Sequence, residues 1–182
     1  MRKNTTNLNN RHTDTPFKSP SLCRATKPIA IPASEIEIDA LIKIGPGSSA
    51  TVYKFGSNQV IKTLRWGEQE ASMMAESINY LAQHVSAITP VTHAGGDRLL
   101  QEYIKGVAFH ELPTALKEEA TILLRNAISG AYAKVHNLQV NGIRAEINPE
   151  IQNFIIQNGA GKITGVHWID PVGGVVQHSP AR

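Results

Sequence analysis

Sulfur chemistry is almost missing from this chain of 182 residues, in which Cys23 is the only cysteine. No intramolecular disulfide can form, and a reducing cytosol is the natural compartment. The seven histidines have no cysteines beside them and no close pairing at metal-ligand spacing, which argues against a structural zinc. Aromatic residues are sparse, at 5%. No apolar run approaches the length of a membrane span, and the N-terminus has no continuous apolar stretch of the kind that marks a cleaved secretory signal. No membrane partner is expected.

A basic body is missing too. The formal net charge is +3, yet residues 1–32 hold Arg2, Lys3, Arg11, Lys18, Arg24 and Lys27 against Asp14 alone, a local +5. The remainder therefore carries −2, the difference between +3 and +5. No nucleic-acid partner is expected of such a surface. The same N-terminal stretch, with its run NTTNLNNRHTDTPFKSPS, is rich in Asn, Thr, Ser and Pro and has no apolar period. It reads as a disordered tail, compatible in composition with an uncleaved export signal. Residues 33–178 then form the expected folded domain, and the hydrophobic content of 41% is enough for one core.

What is present begins with Leu41 to Arg65, LIKIGPGSSATVYKFGSNQVIKTLR. Apolar and polar residues alternate through three short segments separated by a glycine-rich turn (Gly45, Gly47) and by Gly56-Ser57-Asn58, a pattern of half-buried antiparallel strands. A helix is predicted from Gly67 to Val85, where Ala71, Met74, Ala75, Ile78, Leu81, Ala82 and Val85 share one face. Ile88–Ala94 and Arg98–Ile104 flank the turn Gly95-Gly96-Asp97 and predict a hairpin. A long helix is expected after Pro113-Thr114, with Leu123, Leu124, Ala127, Ile128, Ala131, Val135 and Leu138 on its apolar face. Glu146 to Gln152 reads as a polar loop, and Asn153–Gln157 with Ile163–Trp168 as a second hairpin that Asp170 leaves.

Glycine turns let backbone N–H groups approach an anion, and a lysine on a neighbouring strand can reach the same anion. Gly45-x-Gly47-x-x-Ala50-x-Val52 followed by Val60-Ile61-Lys62 resembles the nucleotide-gripping end of protein kinases. Leu99-Leu-Gln-Glu-Tyr-Ile-Lys-Gly106 is similar to the kinase hinge, and Asn153 and Asp170 match its two metal-binding positions. The resemblance implies an α+β, minimal protein-kinase-like fold: a five-stranded antiparallel N-lobe with one helix, and a truncated, mainly helical C-lobe with a catalytic-loop hairpin. Gly45, Gly47 and Ser48 would cover the phosphates of ATP, Lys62 would bind them, and the backbone of Glu102 to Ile104 would hold adenine, with Gln101 in the gatekeeper place. Mg²⁺ would be held by Asn153 and Asp170, whose oxygens suit a hard cation.

Two assignments stay open. The glutamate expected to pair with Lys62 is Glu70 by helix face or Glu76 by its distance from the lysine in kinases. The catalytic base falls on Asn148 by the spacing back from Asn153, or on Glu146 if EINP is aligned with the kinase loop and two residues are added. Pro46, Ala50 and the missing HRD arginine are further departures. Among kinases the sequence most resembles the HopBF family of type III secretion effectors. That likeness implies a monomeric serine/threonine-protein kinase injected into the host cytoplasm, where it phosphorylates the ninety-kilodalton heat-shock chaperone.

Overall fold

Alternation is realised as a meander of Ile42–Pro46 (β1), Ala50–Phe55 (β2) and Gln59–Leu64 (β3). The computed structural model describes residues 37–46, 50–140 and 143–177. The expected tail, the start of the expected domain at 33–36, Gly47, Ser48 and residue 178 lie outside them. Val52 stands opposite Lys62, and Ala50 opposite Leu64. Cross-strand partners share a face, so Ala50, Val52, Val60, Lys62 and Leu64 point one way. Ile61 points the other way, into a small cluster with Leu100, Phe55, Leu41 and Ile38. Gly56 turns the second hairpin at φ +63°, a region L-residues with side chains avoid.

The first helix, α1, runs Glu68–Ala82 and leaves Glu68 and Glu70 in its first turn, where the helix dipole favours acids. Its buried stripe of Ala71, Met74, Ala75, Ile78 and Leu81 is the predicted one. It leads to the hairpin of Val91–His93 (β4) and Arg98–Glu102 (β5). Strand β5 inserts beside β3, giving the antiparallel order β1-β2-β3-β5-β4. Asn79 fastens α1 to this hairpin: its Nδ2 donates to the Val91 carbonyl at 2.8 Å, and the Val91 N–H donates to its Oδ1 at 3.0 Å. Both hydrogen bonds vanish in Asn79→Ala, and a buried N–H is left without a partner. We expect that variant to lose about 2 kcal/mol of stability, measured by urea unfolding, with the m-value unchanged.

The second helix, α2, spans Thr114–Val140. Among residues 114–137 of this helix Leu116, Ala120, Leu124, Ala127 and Ala131 are buried, while Leu123, expected on that face, is 39% exposed; Leu138, also expected there, lies outside the described side chains. The buried stripe follows positions 116, 120, 124, 127 and 131, and Leu123 lies about 100° round the helix from Leu124. Two ribbons follow. Phe154–Gly159 (β7) and Lys162–Trp168 (β8) form the predicted hairpin, closed by Ala160 and Gly161 at φ +50° and +73°, a type I′ turn. The other ribbon pairs Ile143–Ile147 (β6) with Val172–Gln177 (β9), so the end of β6 is a strand where the sequence predicts a loop. Trp168 stacks on Phe154 with ring centroids 4.8 Å apart, both fully buried, under the junction of the two ribbons.

Candidate functional site

The inner face of the sheet and the ribbons enclose a cleft of about 420 Å³. Ile44, Gly45, Ala50, Val52 and Val60 form its roof, Gln101 to Ile104 its back edge, and Gln152, Asn153, Ile155, Ile169 and Asp170 its floor. Lys62 reaches into it from β3. Of the residues singled out in the sequence, Gly45, Lys62, Glu102, Ile104, Asn153 and Asp170 all line this one space. Gly47 and Ser48 fall outside the described residues.

Lys62 is buried, and its ammonium donates to the Ile169 carbonyl and lies 3.8 Å from Asp170 Oδ1. Burial pushes its pKa below the ordinary 10.5, with Asp170 opposing that shift. Desolvation is the larger influence, so a buried cation is held here at a net cost. The expected pairing with a helix glutamate is not formed. Glu70 lies in the first turn of α1, its Oε2 beside Gly67, and Glu76 is exposed on the side of α1 away from its buried stripe. Both follow from solvation and the helix dipole, while Asp170 is already within reach of the lysine.

Asp170 and Asn153 are brought together by the ribbon junction. The Ile169 N–H donates to the Asn153 carbonyl at 2.9 Å. Asn148 ties the loop between β6 and β7 to both sides: its N–H donates to the Pro171 carbonyl at 2.9 Å, and its carbonyl accepts Trp168 Nε1 at 3.2 Å and Asn153 Nδ2 at 3.4 Å. Because Asn153 spends its amide nitrogen on Asn148, its Oδ1 is left as the acceptor. One carboxylate and one amide oxygen beside a lysine are the donor set a Mg²⁺–phosphate group takes, since Mg²⁺ keeps waters and substrate oxygens for its other positions. Among the described residues no three His, Cys, Asp or Glu side chains converge to hold a metal by themselves.

Neither candidate base lines the cleft. Glu146 is exposed on β6, its carboxylate alongside Gly174 across the ribbon. Asn148 is the nearer to Asn153, with its side chain over Gly173. Glu150, which the sequence reading passed over, sits in the same loop and accepts a hydrogen bond from Gln152 Nε2. Ile155 and Ile169 were also missed; Ile155 was legible only as the outward alternate of Phe154 and Ile156.

Behind the cleft the chain passes from sheet to ribbon at Lys105-Gly106. A Cβ on Gly106 would lie 2.7 Å from the Ile156 carbonyl oxygen, so only glycine permits this approach. Val107 then exchanges two backbone hydrogen bonds with Ile156, at 3.0 and 2.9 Å. His167 Nε2 is 3.0 Å from Gln157 Oε1, and Gln157 Nε2 donates to the Lys105 carbonyl at 3.2 Å. Burial lowers the His167 pKa, with Glu102 opposing, which favours a neutral ring whose Nε2–H donates to Gln157.

The parts occur in a fixed order: a glycine on the first strand, buried strand lysine, helix, sheet-to-ribbon hinge, loop asparagine and hairpin-exit aspartate. Together with the five-stranded antiparallel sheet they define a minimal protein-kinase-like fold. No protein-family model matches the chain, and no curated protein matches it by sequence. Among solved structures it is similar to the GDP and kanamycin complex of APH(2")-IIia, an aminoglycoside phosphotransferase, at 11% identity and a TM-score of 0.45. That match covers 76% of this chain and 69% of the other.

Proposed function

We propose that the chain is an ATP-dependent phosphotransferase of the protein-kinase kind. The observation that carries this is the convergence of buried Lys62, Asp170 and Asn153 at one end of a cleft whose other end is apolar. Phosphoryl transfer asks a protein mainly for positioning and charge neutralisation. Lys62 supplies the cation for the phosphates, and the stretch Glu102 to Ile104 supplies backbone groups at the base end. Asp170 and Asn153 would hold Mg²⁺, which when bound neutralises the charge that develops on the phosphate oxygens. With the HopBF likeness, the acceptor we favour is a serine or threonine of a host protein. The ninety-kilodalton chaperone is then the first to try, after delivery into the host cytoplasm by a bacterial injection system. Transfer of radiolabelled phosphate from ATP to protein acceptors, with small-molecule acceptors alongside, tests this reading. Label on a protein acceptor supports it, and label on small molecules alone overturns the protein-kinase part.

A second reading, a nucleotide-binding module with weak or no catalysis, is favoured by one observation: of the two candidate bases the one hydrogen-bonded to Asn153 is Asn148, which cannot accept a proton as a carboxylate does. Two variants separate the readings. If Glu146 takes the proton of the acceptor hydroxyl, Glu146→Gln lowers turnover by roughly 10²–10⁴ with ATP affinity little changed. If Asn148 occupies the base position, Glu146→Gln is nearly silent and Asn148→Asp raises turnover. Initial rates at saturating ATP separate the two: loss of turnover in Glu146→Gln supports the catalytic reading, and a gain in Asn148→Asp supports the second.

A further inference from the structure

Gln101 is a polar side chain at the apolar end of the cleft, and the strands fix what it shows there. It stands opposite Val60 on β3 and Val91 on β4, on the same sheet face as Lys62, and is only 3% exposed. Its Nε2 donates to the Thr89 carbonyl at 3.0 Å. A carbonyl can only accept, so the amide has one workable orientation, with Nε2 on Thr89 and Oε1 turned away. The Gln101 oxygen has no protein partner among the described residues, yet it is not among the sealed, unsatisfied atoms, and Gln101 lines the cleft.

A fixed acceptor at the base end of a nucleotide cleft discriminates between purines. Adenine carries an amino donor at C6, and guanine carries a carbonyl acceptor at the same place. The amino group can complete the Gln101 oxygen. A guanine carbonyl would oppose it, and rotating the amide to offer its nitrogen would set Oε1 against the Thr89 carbonyl instead. We propose that Gln101, locked by Thr89, is a specificity residue that selects adenine over guanine nucleotides; this rests on the nucleotide-binding reading above. Sites that leave a buried polar group unpaired reject the wrong ligand strongly.

The test is the affinity of the full chain for ATP, GTP and purine riboside triphosphate, which lacks the C6 amino group, measured calorimetrically with Mg²⁺ present. The wild type should bind ATP at least roughly tenfold more tightly than either analogue, the size of one hydrogen bond and its unmet partner. In Gln101→Met, similar in length but without the acceptor, the ATP preference should fall severalfold. The three ligands test the wild type alone, so a poorly folded variant does not shield the proposal. Equal binding of ATP and GTP overturns the role of Gln101 and leaves the nucleotide site standing. An undiminished preference in a folded Gln101→Met chain also overturns it, because the selection would then lie elsewhere. No binding of any of the three overturns both.

Discussion

Lys62→Met is expected to abolish phosphate transfer and at the same time to raise the melting temperature. The two effects share one cause. Lys62 is buried, and desolvation outweighs the help of Asp170 in setting its pKa, so the folded chain holds the ammonium at a net cost. Methionine keeps the length and apolar stem of the side chain without the charge. For a chain of this size each kcal/mol relieved is about 2–4 °C in Tm. The pH dependence has a definite sign. Between the depressed folded pKa and 10.5 the unfolded chain binds more protons at this position, so wild-type stability gains from Lys62 as pH rises through that window. That contribution is missing from Lys62→Met. Thermal unfolding of both proteins across the alkaline range checks it. A variant that melts lower than wild type at neutral pH would show that the lysine is structural.

Asp170→Asn should lose transfer as completely and move stability in the opposite direction. Asp170 is the ion-pair partner of Lys62 at 3.8 Å, and its side chain is 28% exposed. Removing its charge leaves the lysine buried without compensation. A fully buried pair broken this way costs about 3–5 kcal/mol, and the partial exposure of Asp170 reduces that to roughly 1–3. The rate effect should reach at least the roughly 10²–10⁴ typical of a positioned catalytic group, since the proposed metal site loses the one negative charge among its two side-chain ligands. Initial rates and urea unfolding of the same preparation give both quantities. Opposite stability changes in the two variants are the signature of a charge kept for function.

Much of this arrangement was legible in the sequence, because it depends on order along the chain. Lys62 sits on a strand whose register follows from alternation, and Asn153 and Asp170 bracket a hairpin whose turn residues are explicit. The partner of Lys62 was not legible. A helical wheel gives the face of α1 but not where the helix comes to rest against β4, β5 and β9, and Asp170 settles the matter from a distant part of the chain. Strand β6 was hidden for a similar reason. Its five residues pair with β9, whose Gly173 and Gly174 give no strand signal, so neither half declares itself without the other. The loop that decides between Glu146 and Asn148 takes its geometry from that ribbon. Leu123 shows a smaller version of the problem, since an apolar residue at the margin of a helical stripe can fall on either side of the line.

The nucleotide cleft we propose has Lys62, Asp170 and Asn153 at its phosphate end. Calorimetric titration of ATP into the wild-type chain, with and without Mg²⁺, and into Asp170→Asn, tests it most directly. Saturable binding to the wild type that tightens when Mg²⁺ is added is expected, with little or no Mg²⁺ dependence in Asp170→Asn. Absence of binding to the folded wild type, or the same Mg²⁺ dependence in both proteins, would contradict it.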